Sequence, residues 1–289
     1  MLELQLTADG SWTFFSPEFD ELFHSHQGAK QEAEQKFVET CKIRQKAEQS
    51  SCLRLLDICY GLGYNSAAAL NAIWSVNPDC RVELIALEIN EEVPRQAVLE
   101  NLLTWSNSRV VHNLAKLAQH HHCHTPYLEA KILLGDARNN LPKLKQEGFQ
   151  ADAIFLDPFS PPKCPQLWTV EFLALVADCL DSEGRLATYS CAASVRTALQ
   201  LAGLYFGSTP SVGRRSPGTI ALKTQADIPP ISEQEKEHLK TRAGIPYRDP
   251  LLQDSPQQIR ERRIEEQKFS ILEPTSHWKK RWLFRSSHS

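Results

Sequence analysis

At 289 residues the chain is long enough for one large domain with appendages or at most two compact ones, which excludes fibres and peptide scaffolds. With 42% hydrophobic and 23% charged residues the composition is that of a soluble globular protein, and no apolar run approaches the roughly 20 residues that cross a bilayer. A formal net charge of -3 argues against a protein that coats polyanions with its whole surface, so any nucleic-acid partner must be held by a local patch.

The opening LELQLTADGSWTFF alternates apolar and polar residues around Asp9-Gly10, which predicts a small hairpin, and a polar helix is expected from about 31 to 45. This first zone, residues 1–50, reads as a lid or cap. Its start has neither a cationic head nor a cleavable apolar stretch, so a cytoplasmic location without membrane association is expected. From Leu53 to about Lys223 short apolar runs alternate with helical stretches. LRLLDIC precedes a helix from about Ser66, VELIALEI one near 91–103, AKILLGDA a short one, ADAIFLDP one near 169–180, and RLATYS one near 194–202. Strands rich in Ile, Leu and Val, each followed by a helix, imply a parallel sheet covered on both faces. The expected fold class is therefore α/β, a doubly wound, mostly parallel Rossmann-like sheet, with residues 51–225 as its domain. The run TIALKT follows FGSTPSVGRRSPG with no helix between, which predicts an antiparallel hairpin on one edge. Residues 226–289 are charged and Pro-punctuated, with helices expected near 231–241 and 256–269 and a basic aromatic ending, HWKKRWLFRSSHS. They read as an extension packed on the core.

In open α/β sheets ligands bind beyond the carboxyl ends of the strands. Those ends are acidic here: Asp57 before Cys59-Tyr60-Gly61-Leu62-Gly63, then Glu88, then Asp136 in Gly135-Asp136-Ala137, then Asp157. One such acid is ordinary, but four would place repelling charges round one crevice, and a ligand with donors explains them. Gly61 and Gly63 permit a sharp turn and close backbone approach. A nicotinamide fingerprint wants a third glycine where Ser66 stands, and an acid just before the turn suits a cationic cofactor better than a pyrophosphate. S-adenosyl-L-methionine, with its ammonium and sulfonium, fits that pattern. Glu88 is placed to accept two hydrogen bonds from ribose hydroxyls, and Asp136 one from an adenine amino group.

The segment Leu156-Asp157-Pro158-Phe159-Ser160-Pro161-Pro162-Lys163-Cys164-Pro165 carries four prolines in eight residues, so a stiff loop is expected at the crevice mouth. Asp157-Pro158-Phe159 after the fourth strand resembles the loops of amine methyltransferases, which implies that Asp157 holds an amine and passes its proton toward solvent, with Phe159 as a pocket wall; the alternative is an Asp that caps backbone amides. Eight cysteines without a CxxC pair, several in apolar runs, suggest a reducing compartment. His120-His121-His122-Cys123-His124 lacks a matched distant pair, so a solvated loop is expected and no metal.

LLDICYGLGYNS, GDA, LDPFSPPKCPQLWT, LATYSCAASVRTALQLAG and VGRRSPG, with FDELFHSHQGAKQEAEQKF upstream, form one pattern. Over about residues 19–221 the chain resembles the methyltransferase part of bacterial tRNA 5-methylaminomethyl-2-thiouridine biosynthesis enzymes (MnmC-type). The resemblance implies N-methylation of the 5-aminomethyl group of wobble uridine in tRNA. It implies cofactor contact at Asp57, Gly61, Gly63, Glu88, Asp136 and Ala137, and amine handling at Asp157 with Phe159 beside it. Phe159, Trp168 and Tyr189 would then stack on or enclose the flipped uracil, or else belong to the core. His24 and Ser25 would lie in a cap closing over the cofactor. Bifunctional relatives carry a flavin-dependent oxidase domain that nothing in this chain supplies, so no FAD is expected, and another enzyme would provide the aminomethylated tRNA. No acid occurs from Gly184 to Ala226, where Arg185, Arg196, Arg214, Arg215 and Lys223 lie, and Lys279, Lys280, Arg281 and Arg285 mark the tail. Arg214 and Arg215 are the expected phosphate contacts, while the tail either grips phosphate or docks a C-terminal segment. The alternatives to the tRNA reading are a methyltransferase for a small, polyamine-like amine and a catalytically inactive RNA-binding fold.

Overall fold

The computed structural model describes residues 2–211 and 216–286. Its strands, in chain order, are β1 (Glu3–Leu6), β2 (Trp12–Ser16), β3 (Glu21–Leu22), β4 (Cys52–Ile58), β5 (Arg81–Glu88), β6 (His122–Thr125), β7 (Leu128–Leu134), β8 (Ala151–Leu156), β9 (Leu180–Thr188), β10 (Tyr205–Ser208) and β11 (Thr219–Leu222). The eight-stranded sheet runs β10-β11-β9-β8-β4-β5-β7-β6. Strands β9, β8, β4, β5 and β7 are mutually parallel, while β11 and β10 form the expected antiparallel pair at one edge.

Period-two alternation sends successive side chains of a strand to opposite faces. Leu53, Leu55, Ala153 and Phe155 join one buried cluster, whereas Leu56, Ile58, Ile154 and Leu156 join another. Both faces are therefore covered, which is why these strands read as continuous apolar runs. The chain passes from β4 to β5 and β7 on one side and returns to β8 and β9 on the other. The topological switch point thus falls between β4 and β8, where the Asp157 amide donates to the Ile58 carbonyl at 3.1 Å.

Several local expectations are corrected. The helix expected near 31–45 is two pieces: Ala29–Glu32 runs on through a wider turn at Ala33–Val38, and Ile43–Gln49 begins after Lys42 turns left-handed (φ 53°). The histidine run is no loop: His120 ends a helix, Ser108–His120, that buries Val110, Leu114, Leu117 and Ala118, and His122–Thr125 pairs antiparallel with β7. Among the described residues no group of three or more His, Cys, Asp or Glu side chains is gathered for a metal, and no helix is long and apolar enough to cross a membrane.

The N-terminal hairpin β1–β2 turns at Gly10 (φ 80°) and gains β3 as a third strand. In the C-terminal segment the helices Glu233–Leu239 and Pro256–Phe269 start from capping boxes at Ser232 and Ser255, in which serine and the residue three positions on satisfy each other's backbone amides. Trp278 stacks on His238 with ring centroids 4.1 Å apart, and Arg281 pairs with Glu237 and Glu273. These contacts dock the tail helix Thr275–Ser286, leaving Lys279 and Lys280 exposed.

Candidate active site

A cavity of about 1420 Å³ lies between the carboxyl ends of β4, β5, β7 and β8 and the N-terminal three-stranded sheet. That exceeds the roughly 300–1,000 Å³ usual for a single small ligand. Gly61, Glu88, Asp136, Ala137, Asp157 and Phe159 all line it, as does Tyr189. Gly63 does not. It lies behind, at the cap of helix Tyr64–Val76, with φ 84°, where a Cβ would come 2.5 Å from the Tyr60 hydroxyl.

Asp57 also departs from expectation. On the face of β4 covered by helix Tyr64–Val76, it is fully buried beneath the crevice, and its Oδ2 accepts a 2.6 Å hydrogen bond from Ser66. Its Oδ1 has no hydrogen-bond partner among the described residues. Burial pushes the carboxyl up to about 8; the Ser66 bond opposes this, and repulsion from Asp157 and Glu88 adds to it. A folded-state value raised this way favours the neutral acid, so its contribution to stability is complete below the ordinary carboxylate range and is lost as pH rises through about 8. Asp57→Asn is therefore expected to flatten the fall in melting temperature of the ligand-free protein over that window, measured by calorimetry across pH. An unaltered profile would contradict a buried acid here.

Glu88 is tied to backbone on both sides. Its Oε2 accepts from the Gly61 amide at 2.8 Å, and its Oε1 from the Ile89 and Asn90 amides, each at 2.9 Å. A carboxylate has about four acceptor sites, so roughly one remains for a ligand hydroxyl, not the expected two. Burial raises its pKa against the lowering effect of those amides. Asp136 caps helix Ala137–Gln146 by accepting from the Arg138 amide at 2.9 Å, and the Arg138 side chain grips the same carboxylate through Nε and Nη2 at 2.7 to 3.2 Å. The sequence reading missed Arg138.

Asp157 is held by a residue also missed: Asn65 Nδ2, in the first turn of the helix after the glycine turn, donates to its Oδ2 at 2.9 Å. Phe159 stacks on Phe19 (centroids 4.2 Å apart, planes 13°) and meets the edge of Phe23 at 5.0 Å. The Ser160 amide donates to Glu21 at 2.9 Å and its hydroxyl to the same carboxylate, so β3 closes directly on the proline-rich loop. Tyr189 reaches the rim and donates to the Pro158 carbonyl at 2.9 Å. Trp168 is corrected to core: it is 0% exposed and its indole donates to the Phe159 carbonyl at 2.8 Å, so no face is open to a base. His24 and Ser25 line the cavity; His24 Nδ1 lies 3.0 Å from the Thr13 hydroxyl, and the Ser25 hydroxyl is buried with no hydrogen-bond partner among the described residues.

The acid-free run also changes meaning. Arg185 is buried and donates to the Thr40 carbonyl. Arg196 is 2% exposed and bonds Thr219, Ser208 and Glu235, so it ties strands to a helix and is unavailable to phosphate. Arg214 and Arg215 lie outside the described residues.

Glu88, Asp136 and Asp157 turn acceptors toward one cavity, and burial raises the pKa of Glu88; a cationic, donor-rich ligand would pair with such acceptors. The donor set thus fits S-adenosyl-L-methionine, with Gly61, Glu88, Asp136 and Ala137 as the wall that would hold its nucleoside.

Residues 100–224 match the family model described as S-adenosyl-L-methionine-dependent methyltransferase. The chain is 29% identical over 267 residues to an uncharacterized protein of Methanocaldococcus jannaschii, covering 90% of this chain and 70% of that one. It is 32% identical over 221 residues to the tRNA 5-methylaminomethyl-2-thiouridine biosynthesis bifunctional protein MnmC of Paracidovorax citrulli, covering 69% of this chain but 32% of that protein. The chain thus spans about a third of that bifunctional relative. The crystal structure of MNMC2 from Aquifex aeolicus superposes with a TM-score of 0.83 at 36% identity, covering 93% of this chain and 85% of that one. The protein belongs to the S-adenosyl-L-methionine-dependent methyltransferase family of which MNMC2 is a member.

Proposed function

We propose that this protein methylates the exocyclic amine of 5-aminomethyl(-2-thio)uridine at the wobble position of tRNA, giving 5-methylaminomethyl(-2-thio)uridine. The observation that carries this reading is Asp157, fixed by Asn65 at the switch point and facing a cavity walled by stacked Phe159 and Phe19. S-adenosyl-L-methionine supplies an electrophilic methyl group. An aliphatic amine is protonated near neutral pH and must lose a proton before it attacks. Asp157, half-buried at the cavity wall, accepts a hydrogen bond from the amine, turns its lone pair inward and passes the proton toward solvent. Phe159 and Tyr189 offer the apolar surface against which an unstacked pyrimidine would lie.

The bifunctional tRNA 5-methylaminomethyl-2-thiouridine biosynthesis relative supplies the tRNA part of the proposal; the volume, beyond the need of one nucleoside cofactor, agrees with a second nucleoside. Mass spectrometry of wobble nucleosides, after incubating the protein and methyl donor with tRNA from cells lacking the modification, tests it. Conversion of aminomethyl to methylaminomethyl is expected. Methylation of free polyamines with none of the tRNA overturns it. Arg214→Ala with Arg215→Ala is expected to weaken tRNA binding and flatten the dependence of log K on log salt by roughly 1.4 to 1.8, two phosphate contacts' worth. An unchanged slope removes both residues from the interface.

A further inference from the structure

Asp136 is not held by its own loop alone. Arg138 Nη2 and Nε grip one side of its carboxylate, while Nη1 turns the other way, to Asp249 Oδ2 at 2.8 Å and the Asp254 carbonyl at 3.0 Å. Asp249 is 0% exposed, and its other oxygen accepts from the Gln253 and Asp254 amides, each at 3.1 Å. Its own amide donates to Glu171 at 2.8 Å, and Glu171 also takes Arg248 at 2.7 Å. Arg262, on helix Pro256–Phe269, closes the set by donating to the Arg248 carbonyl and to Asp254 Oδ2, both at 2.6 Å. One guanidinium is thus shared between a cavity-lining acid and a buried acid more than a hundred residues away.

We propose that Arg138 and Asp249 are positioning residues through which the C-terminal segment fixes the plane of the Asp136 carboxylate toward the adenine end of the cofactor site. This rests on the reading that Asp136 accepts from the adenine amino group. A guanidinium fork fixes the orientation of a carboxylate in a way a single ammonium does not. With Arg138 engaging both oxygens from one side, the plane of the Asp136 carboxylate is set relative to the cavity that Asp136 lines. Asp249 holds the fork in place, because its own lone pairs are committed to backbone amides and it cannot swing away. An acceptor fixed this way rewards a donor on the base and penalises a carbonyl in the same place.

The test is calorimetric affinity of the full chain for S-adenosyl-L-homocysteine and for S-inosyl-L-homocysteine, in which a carbonyl replaces the amino group. The native protein is expected to prefer the adenosyl form, and Asp136→Asn to lose most of that preference. Arg138→Lys is expected to reduce the preference about tenfold, the worth of one hydrogen bond to a charged group at its lower end, with kcat at saturating methyl donor little changed. Asp249→Asn, which keeps volume and an acceptor, is expected to act in the same direction and serves where Arg138→Lys fails to fold. Equal weakening of both ligands, or no change in either, makes Arg138 and Asp249 structural only and overturns the proposal. If instead Asp136→Asn leaves the preference intact, the reading of Asp136 itself falls.

Discussion

Asp157→Ala is expected to lower turnover on aminomethylated tRNA by roughly 10²- to 10⁴-fold, the range for loss of a positioned proton acceptor, with little change in affinity for S-adenosyl-L-homocysteine. The separation follows from geometry. Asp157 belongs to the proline-rich loop beside the Phe159–Phe19 stack, whereas the residues proposed for the nucleoside, Gly61, Glu88, Asp136 and Ala137, end or follow β4, β5 and β7. Alanine also leaves the buried Asn65 amide without its acceptor, which costs about 1–3 kcal/mol of stability and blurs a single measurement. Asp157→Asn removes that ambiguity. It keeps an oxygen for Asn65 to donate to and removes only the carboxylate. Single-turnover methyl transfer by Asp157→Asn should therefore be slow while its melting temperature stays near that of the native protein. Raising pH should partly restore the rate, because solvent then supplies the neutral amine that Asp157 otherwise provides. A native rate in Asp157→Asn would return this residue to the bland role of a backbone-capping acid.

The fold was legible because strand and helix signals alternate with little interference from β4 to β9, and because strands buried on both faces leave uninterrupted apolar runs. What chain order could not supply was which face of a strand a polar residue takes once helices are docked. Asp57 and Asp157 both follow the same face of their strands, yet helix Tyr64–Val76 covers one and Asn65, from the first turn of that helix, merely touches the other. Arg196 taught the same lesson from the opposite sign: a cation in an acid-free run reads as a phosphate contact until Thr219, Ser208 and Glu235 close around it. The supporting partners Asn65, Glu21, Arg138 and Asp249 were missed because each acts on a residue 92, 139 or 111 positions away, or lies beside one so obvious that its neighbour drew no attention. The helix Ser108–His120 did leave a signal, an Asn107 cap followed by apolar residues at helical spacing, which the histidines after it obscured.

Glu88→Ala should produce the opposite pattern to Asp157→Ala: a large loss of cofactor affinity joined to a loss of stability. Three backbone amides, those of Gly61, Ile89 and Asn90, end on this one carboxylate. The Gly61 bond joins the turn after β4 to the end of β5, so removing it frees the backbone that would meet the cofactor and also deletes the acceptor left for a ribose hydroxyl. Amides losing a partner in a buried setting cost about 1–3 kcal/mol each, reduced wherever water enters the cavity, so a total near 3 kcal/mol is expected. At about 2–4 °C per kcal/mol that is readily seen in a melting curve. Glu88→Gln is the sharper probe. Its NH₂ group cannot accept, and whichever way the amide turns it opposes either the Gly61 donor or the Ile89 and Asn90 pair. It should therefore behave more like alanine than its shape suggests. A further consequence reaches Asp57, whose carboxyl is pushed up partly by Glu88. In Glu88→Ala that repulsion is gone, so the stability that Asp57 contributes as a neutral acid should fade at lower pH than in the native protein. Coincident shifts in cofactor affinity, melting temperature and this pH profile would identify Glu88 as the joint between β4 and β5; retention of native affinity would show that the nucleoside is held elsewhere.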